Sequence, residues 1–239
     1  METVRLDKYL ADALQSTRSE VKKQIRKGQV LVNGVCVKNP EARIHPDTDQ
    51  VTAGGQALEK PKEFVYYLLH KPAGYVSATE DPREKTVLDL VPKGRRNLFP
   101  VGRLDKDTEG LLLITDDGPL AHDLLSPAKH VDKTYFAVVS GQVTEEDIGK
   151  VKEGLEIGEK RPTLPADLSV LRVYRNPEGE TLSEIHLTIH EGKFHQVKRM
   201  MAALGKPVQY LRRISMGSLT LPDDLPPGQY MEIEREKIG

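Results

Sequence analysis

Cysteine is almost absent from this chain of 239 residues, which contains Cys36 alone. One thiol cannot form an internal disulfide framework or a cysteine-rich zinc site, so the composition fits a reducing compartment. Long apolar runs are also missing, because no stretch approaches the roughly 18 residues of a membrane-spanning helix. The first residues, Met1-Glu2-Thr3-Val4, lack the apolar core of a signal peptide. We therefore expect a soluble, cytoplasmic protein that does not associate with membranes.

An excess of charge of one sign is missing as well. The 35 basic and 36 acidic side chains give a formal net charge of −1, which excludes a uniformly basic surface for nucleic acid. The charge is nevertheless distributed unevenly. Residues 1–40 contain eight basic and four acidic side chains, and residues 190–213 contain six basic side chains and one acidic side chain. The sequence therefore has two basic islands.

The motifs of several common enzyme classes are absent. The chain has no glycine pattern of a Walker or dinucleotide-binding loop, no Gly-x-Ser-x-Gly nucleophile turn and no His-Glu-x-x-His pair. His190 and His195 are five residues apart and have no cysteine near them, so no metal site is expected. The missing metal ligands and the lack of a second carboxylate pattern also count against an aspartate-dependent hydrolase.

The first 40 residues have the pattern of two helices followed by a hairpin. Thr17 and Glu20 resemble a capping box at the start of the second helix, and Gly28 is a suitable end for it. Asn33-Gly34 joins two β-branched runs, which predicts a tight hairpin with Cys36 packed in its second strand. The first helix is predicted by apolar residues at the spacing of one helical face: Leu6, Tyr9, Leu10, Ala13 and Leu14.

The second predicted helix carries four basic side chains, Arg18, Lys22, Lys23 and Arg26. From charge alone, a solvated helix face and an RNA contact are equally compatible with this pattern. The order of a basic helix and a tight hairpin within about 60 residues resembles the RNA-binding module named from ribosomal small-subunit protein S-four. This resemblance implies that the four side chains contact RNA.

A charged stretch with a proline, residues 59–63, predicts a linker. We place the boundary near residue 62, so that residues 1–60 form a small α/β-hairpin RNA-binding domain and residues 63–239 form a second domain. The pattern of the second domain lacks regular βαβ alternation and predicts an α+β fold with a mixed antiparallel sheet. Its strands are predicted at residues 64–70, 135–140 and 184–190, and its helices around residues 119–125, 145–154 and 194–204.

Asp105 lies between two apolar runs, residues 98–101 and 111–114. A carboxylate in such a place is costly unless another group pairs with it or uses it. An isolated aspartate at a turn most often caps the following segment through backbone N–H groups, and Arg103 can assist that role. Two other segments of the chain favour a functional role over capping.

The first of these segments is residues 133–138, where Tyr135 is either a core residue or a ring that stacks on a base. In the second, residues 190–201, a strand end and a glycine turn precede a helix. Lys198 and Arg199 lie near the start of that helix, where its dipole disfavours cations. They are either a solvated pair or neighbours of an anion, which is a phosphate or a buried carboxylate. The buried stripe of the helix is predicted as Val197, Met200, Met201 and Leu204.

Several ordered motifs together resemble the bacterial pseudouridine synthases that act on small-subunit (16S) ribosomal RNA. The resemblance covers nearly the whole chain, including the N-terminal RNA-binding module. It implies an isomerase with a pseudouridine synthase catalytic domain, which detaches uracil at the N1–C1′ bond and rejoins it through C5 without a cofactor or a metal. The motifs are Gly102-Arg103-Leu104-Asp105, the stretch from His70 to Ser77, the stretch from Glu191 to Met200 and the stretch from Leu211 to Gly217.

By this resemblance, Asp105 is the essential carboxylate, which either attacks the ribose or starts an elimination. Both routes require it to be ionised, and a nearby cation keeps such a carboxylate charged. Lys198 is the first candidate for that cation and Arg199 is the alternative, because adjacent helix positions point about 100° apart. Tyr135 would stack on the extruded uracil and could take part in proton removal from C5. Arg103 would fill the gap left by the flipped base.

The resemblance also implies RNA contacts for Lys193, His195, Gln196 and Arg199. The expected partner is ribosomal RNA within an assembling small subunit, and the expected oligomeric state is a monomer. A synthase acting on large-subunit (23S) RNA and a non-catalytic RNA-binding assembly factor remain alternatives. The stretch from Ser77 to Pro82 and the Lys133-Thr134-Tyr135 triplet look more like the small-subunit enzymes.

Overall fold

The computed structural model describes residues 3–14, 16–61, 64–93 and 97–239. The chain divides into two compact units, one formed by Met1–Phe64 with Pro92–Asn97 and the other by Val65–Val91 with Leu98–Gly239. The predicted boundary at residue 62 and the first residue of the predicted second domain, Glu63, lie outside the described residues.

Over its described residues, the first unit contains two helices and short strands. In chain order the elements are β1 (Val4–Arg5), α1 (Leu6–Ala13), α2 (Arg18–Arg26), β2 (Val30–Val32), β3 (Val35–Cys36), β4 (Arg43–Ile44), β5 (Val51–Ala53) and β6 (Gln56–Ala57). The strands β2, β3, β5 and β6 form one sheet in the order β3-β2-β5-β6, and β1 pairs with β4.

Local sequence signals account for the ends of these elements. Thr17 accepts a hydrogen bond from the Glu20 backbone N–H, and the Glu20 carboxylate accepts one from the Thr17 backbone, so the predicted capping box is confirmed. Asn33 and Gly34 have φ of 52° and 79°, the left-handed conformation that a two-residue hairpin turn requires. The predicted hairpin is therefore confirmed, with β2 and β3 as its strands.

The predicted packing of Cys36 is wrong, because its side chain is exposed. The residue lies in the short edge strand β3, both residues of which are exposed. The core of this unit forms instead between the two helices and β2, with Leu6, Leu10, Val21 and Ile25 fully buried. The β-branched pattern predicted the strand correctly but could not tell that its residues are exposed.

The second unit is built around a large sheet with the strand order β11-β12-β10-β13-β9-β7-β15. In chain order its elements are β7 (Tyr66–Lys71), β8 (Phe99–Pro100), β9 (Glu109–Thr115), α3 (Gly118–Leu125), β10 (Lys133–Ser140), α4 (Glu145–Glu153), β11 (Asp167–Arg175), β12 (Thr181–Ile189), α5 (Gln196–Ala203), β13 (Val208–Met216), β14 (Leu219–Thr220) and β15 (Tyr230–Glu232). Short 3-10 helices occur at Val87–Leu90, Pro127–Lys129 and Arg235–Lys237.

The sheet pairing confirms the predicted α+β class. The strands pair antiparallel except for β13 and β9, which pair in parallel at Arg212–Glu109 and Arg213–Gly110. The predicted strands and helices are all present, although β10 begins two residues earlier than predicted and β12 three residues earlier. Within the described residues, no helix combines the length and the apolar character needed to cross a membrane.

Candidate active site

Asp105 lies in the loop between β8 and β9, shortly before β9 enters the large sheet. Its side chain is 27% exposed, and its backbone carbonyl accepts a hydrogen bond from the Thr108 N–H at 3.1 Å. Gly102, at the start of the loop, has φ of 81°, a backbone conformation that suits glycine. The loop therefore presents a half-buried carboxylate between two strands that are anchored in the core.

The segment after β7 holds this loop in place. The Ser77 hydroxyl accepts a hydrogen bond from the Leu104 N–H at 3.0 Å and donates one to the Leu104 carbonyl at 2.9 Å. The Gly74 N–H donates to the Lys106 carbonyl at 2.7 Å. The backbone on both sides of Asp105 is thus fixed by contacts with residues about 30 positions earlier.

Lys71 supports the same loop from inside the protein. Its side chain is 0% exposed, and its Nζ donates to the carbonyls of Pro72, Lys106 and Thr108 at 3.0, 3.2 and 2.7 Å. Burial lowers the pKa of Lys71 to about 8, against the opposing charges of nearby carboxylates such as Asp107. Burying an amine is unfavourable unless it is hydrogen-bonded, so these three carbonyls explain how Lys71 is accommodated.

Helix α5 supplies the cation for Asp105. Lys198 Nζ lies 3.0 Å from Asp105 Oδ2 and 2.6 Å from Asp107 Oδ1, so the predicted ion pair is present. Burial acts to lower the pKa of Lys198, but the hydrogen bonds and charges of Asp107 and Asp105 raise it overall. The Lys198 hydrogen bond in turn lowers the pKa of Asp107. His195 Nε2 lies 3.3 Å from the other oxygen of Asp105, Oδ1.

The alternative pairing of Asp105 with Arg199 is wrong. Arg199 Nη1 lies 2.7 Å from Glu159 Oε1 and donates to the Phe194 carbonyl at 3.1 Å, and Arg199 Nη2 donates to the Ile157 carbonyl. One residue along a helix turns the side chain by about 100°, which directs Arg199 away from the carboxylate that Lys198 meets.

The turn before α5 is held by side chains for which the sequence predicted RNA contacts. Gln196 is buried, accepts a hydrogen bond from the Lys193 N–H at 2.9 Å and donates one to Glu191 Oε1 at 3.0 Å. Lys193 Nζ donates to the Pro162 carbonyl at 2.8 Å and lies 3.3 Å from Glu191. Any RNA contact by these residues or by Arg199 would therefore compete with contacts inside the protein.

Tyr135 lies on the sheet face at the bottom of a cavity of about 660 Å³, which Asp105 and Lys198 also line. The ring is 8% exposed and packs with the main core. Tyr135 is therefore both a core residue and part of the pocket, two roles between which the sequence could not choose. The cavity is large enough for a nucleotide, since small-molecule sites span about 300–1,000 Å³.

Two cations that the sequence did not single out share this floor with Tyr135. Lys133 lies two residues before Tyr135 on β10, and Arg213 is the direct partner of Tyr135 on β13. Alternating strand residues share a face, as do directly opposed residues. Both Lys133 and Arg213 line the cavity. Both residues stood within stretches that carried the family resemblance, but neither had a role assigned to it.

The rim of the cavity carries Arg103 and Phe194. Arg103 is exposed, as a side chain that enters RNA would have to be. Phe194 is 73% exposed, and its ring stacks on that of His195 with centroids 3.7 Å apart and an interplanar angle of 21°. His195 has φ of 49°, which places the stacked pair at the turn into α5.

In the first unit, three of the four basic side chains of α2, Arg18, Lys23 and Arg26, are exposed. Lys22 is half-buried, with its Nζ 3.7 Å from the buried carboxylate of Asp7. Arg5 lies 2.8 Å from the same carboxylate and, by hydrogen bonding to it, lowers the pKa of Asp7. Lys22 therefore also has a structural role in this unit, as an ion-pair partner of Asp7.

Comparison with known proteins gives two family matches. Residues 65–203 match the RNA pseudouridylate synthase family, and residues 4–51 match the S4 domain. An uncharacterized RNA pseudouridine synthase of Bacillus subtilis, YtzG, is 45% identical over 237 residues, covering 98% of this chain and 97% of that protein. Ribosomal small subunit pseudouridine synthase A of Escherichia coli is 38% identical over 238 residues, covering 99% of each chain.

Solved structures agree with these sequence matches. A crystal structure of a pseudouridylate synthase superimposes with a TM-score of 0.65 at 36% identity, covering 98% of both chains. Human RNA pseudouridylate synthase domain containing 1 shares the fold at 18% identity, with a TM-score of 0.50 over 68% of this chain and 82% of that one. With both domains matched and relatives aligned end to end, the chain belongs to the RNA pseudouridine synthases, isomerases of RNA, and carries an S4 RNA-binding domain at its N-terminal end.

Proposed function

We propose that this protein converts a uridine of small-subunit (16S) ribosomal RNA to pseudouridine, with Asp105 as the catalytic carboxylate and without a cofactor. The observation that carries the proposal is the position of Asp105, which lines a nucleotide-sized cavity above Tyr135 and is held between Lys198 and His195. The RNA target is supported by the names of the Escherichia coli and Yersinia pestis relatives, both ribosomal small subunit pseudouridine synthases.

In the proposed reaction the N1–C1′ bond breaks, the base turns within the cavity, and C5 forms the new bond to C1′. The proton on C5 is then lost and N1 gains one, so the product is an isomer of the substrate. Asp105 acts on the ribose, either by attack or by starting an elimination, and in both routes it must be ionised. Lys198, whose Nζ lies 3.0 Å from Asp105, provides the counter-charge.

The proposal assigns the remaining roles as follows. Tyr135 stacks on the base that has entered the cavity, and Arg103, exposed at the rim, occupies the space which that base has left. Residues 1–60 serve as the RNA-binding domain and residues 63–239 as the catalytic domain. The partner is ribosomal RNA within an assembling small subunit, and the protein works as a monomer.

The proposal is tested by incubating the protein with free 16S RNA, free 23S RNA and partly assembled small subunits, followed by mapping of pseudouridine. We expect one new pseudouridine in 16S RNA, with the highest yield on RNA that already carries ribosomal proteins. A product confined to 23S RNA would contradict the proposed target. Tight RNA binding without any product would indicate a non-catalytic assembly factor instead.

Replacing Tyr135 with phenylalanine should separate stacking from proton transfer. The ring remains, so we expect RNA affinity to change by less than about threefold, while turnover falls by about 100-fold because the hydroxyl no longer assists removal of the C5 proton. Filter binding and single-turnover pseudouridine formation measure the two quantities. Unchanged turnover would exclude the proton-transfer role and leave Tyr135 as a stacking residue alone.

Exposed charges of α2 should determine the salt dependence of RNA binding. With Arg18, Lys23 and Arg26 all replaced by glutamine, we expect the slope of log K against log salt to become shallower by about 2, since each phosphate contact contributes about 0.7–0.9. The matched control replaces the exposed Lys150, Lys152 and Arg175 of the second unit, which removes the same charge. Equal slopes for the two triple variants would contradict an RNA-binding role for α2.

A further inference from the structure

Two cations lie buried at the floor of the candidate active site. Arg213 is 2% exposed and Lys133 is 9% exposed. Lys133 Nζ donates to the Val131 carbonyl at 2.8 Å, and Arg213 Nε donates to the Leu111 carbonyl at 2.8 Å. Arg213 Nη2 is also buried, and among the described residues it has no hydrogen-bond partner.

The Nη2 group of Arg213 needs an acceptor that the described part of the chain does not provide. Guanidinium has only donors and does not lose its proton in proteins, so Arg213 cannot avoid the cost of burial by becoming neutral. Its charge also acts on its neighbour, because burial and the charge of Arg213 both lower the pKa of Lys133. A buried donor without a partner, on a side chain that lines a cavity, indicates that a ligand supplies an oxygen there.

The sheet register indicates which part of the RNA supplies that oxygen. Arg213 is directly opposite Tyr135, and both side chains are on the cavity face. Asp105 acts on the ribose and is more exposed than either of them, so a nucleotide that enters base-first places its base beyond Asp105 and over Tyr135. The phosphates remain near the rim. The atoms that reach Arg213 are therefore the carbonyl oxygens of the uracil.

We propose that Arg213 is a catalytic residue for the departure of the base: its guanidinium binds a carbonyl oxygen of the uracil and stabilises the negative charge that forms when the N1–C1′ bond breaks. The bonding pair stays with the base, as an anion delocalised over N1, O2 and O4. This holds whether Asp105 attacks C1′ or starts an elimination. The anion then forms the C5–C1′ bond, the C5 proton leaves and N1 is protonated, so the charge at Arg213 is needed only transiently.

This inference rests on the proposed function and adds a group that acts on the base, whereas Asp105 acts on the sugar. Donors that meet a developing anion in a buried site contribute strongly, because losing one such donor costs about 100-fold in rate or more. Lys133, which lines the same cavity, adds positive potential beside the base without needing to touch it. If Arg213 stabilised only the fold, replacing it would not specifically slow the chemical step.

The test compares Arg213→Ala, Arg213→Gln and Arg212→Ala. Arg212 is the neighbouring arginine on the opposite face of β13, where its guanidinium lies 5.6 Å from the Phe136 ring centroid. We expect both Arg213 variants to bind 16S RNA within about threefold of the unaltered protein but to form pseudouridine about 100-fold more slowly in a single turnover. Arg212→Ala should retain its rate. Added guanidinium chloride should restore Arg213→Ala in part, whereas sodium chloride at equal ionic strength should not.

Three results would overturn the inference. They are a rate within threefold of the unaltered protein for both variants, a loss of rate that merely follows a loss of RNA binding, and a loss in Arg213→Ala that guanidinium does not reverse. If Arg213→Ala fails to fold, as judged by thermal unfolding, Arg213→Gln decides by its rate alone. If the unaltered protein forms no pseudouridine, the proposed function fails. If it does and the Arg213 variants match it, only the role of Arg213 fails.

Discussion

Asp105→Asn is expected to abolish pseudouridine formation while the variant still binds ribosomal RNA. Asparagine has the shape of aspartate but no negative charge, so it can neither attack the ribose nor take a proton from it. We expect the single-turnover rate to fall by at least about 1,000-fold. RNA affinity should change by less than about threefold, because the contacts to the RNA backbone lie elsewhere. Nucleoside analysis by mass spectrometry and filter binding give the two measurements.

Asp107→Asn is the matched control for this variant. Asp107 is two residues along the same loop and shares Lys198 with Asp105, but its side chain is largely exposed. Removing its charge leaves Lys198 free to serve Asp105, and we expect the rate to stay within about fivefold of the unaltered protein. Product formed by Asp105→Asn would refute the role of Asp105, provided that mass spectrometry excludes deamidation of the new asparagine. Asp105→Ala, which cannot deamidate, decides that point.

The position of Asp105 could be predicted because its signals are local. Apolar runs on both sides indicate strands, and the structure has β8 and β9 there, with the carboxylate in the loop between them. The capping box of Thr17 and Glu20 and the Asn33-Gly34 turn are also local, since each depends on residues within three positions of one another. Such features follow from backbone geometry and short-range hydrogen bonds.

The supports of the loop could not be predicted, because they depend on contacts between distant residues. Lys71 and Ser77 stood within a motif that pointed to the family, yet nothing in the sequence indicated that they hydrogen-bond the backbone around Asp105. Arg213 likewise becomes a pocket residue only through the pairing of β13 with β10. Burial and register arise from tertiary packing, so a single sequence does not determine them.

The sequence could not decide whether Lys198 or Arg199 meets Asp105, because it does not give the orientation of α5. Adjacent residues on a helix differ by about 100°, and the pattern of buried residues left both Lys198 and Arg199 off the apolar stripe. The structure directs Lys198 to Asp105 and Arg199 to Glu159. The resemblance implied an RNA contact for Gln196, and nothing in the sequence indicated that its amide holds the turn before α5.

Lys198→Met should reduce the rate of pseudouridine formation by about 100-fold or more. Lys198 Nζ is the cation on which Asp105 and Asp107 converge, at 3.0 and 2.6 Å. Without it, the two neighbouring carboxylates lose their shared counter-charge and repel each other. Single-turnover rates of the variant and of the unaltered protein measure the loss.

In Lys198→Met, the free energy of unfolding should change far less than the rate of pseudouridine formation. The side chains of Lys198 and Asp105 are each 27% exposed, and partly solvated ion pairs of this kind contribute about 1 kcal/mol or less to the free energy of unfolding. Thermal unfolding of Lys198→Met should therefore stay close to that of the unaltered protein. A large drop in the unfolding temperature would assign Lys198 to the fold rather than to the chemistry.

The double variant Lys198→Met/Asp107→Asn provides the decisive comparison. If the defect of Lys198→Met arises from repulsion between the two carboxylates, removing the charge of Asp107 should recover part of the lost rate. The coupling between the two substitutions is then positive, as expected for residues in one charge network. Lys198→Arg keeps the positive charge but has a different side-chain geometry. Its rate of pseudouridine formation should lie between those of Lys198→Met and the unaltered protein. Additive losses in the double variant would mean that Lys198 acts on the substrate directly, because its effect would then be independent of the carboxylate beside Asp105.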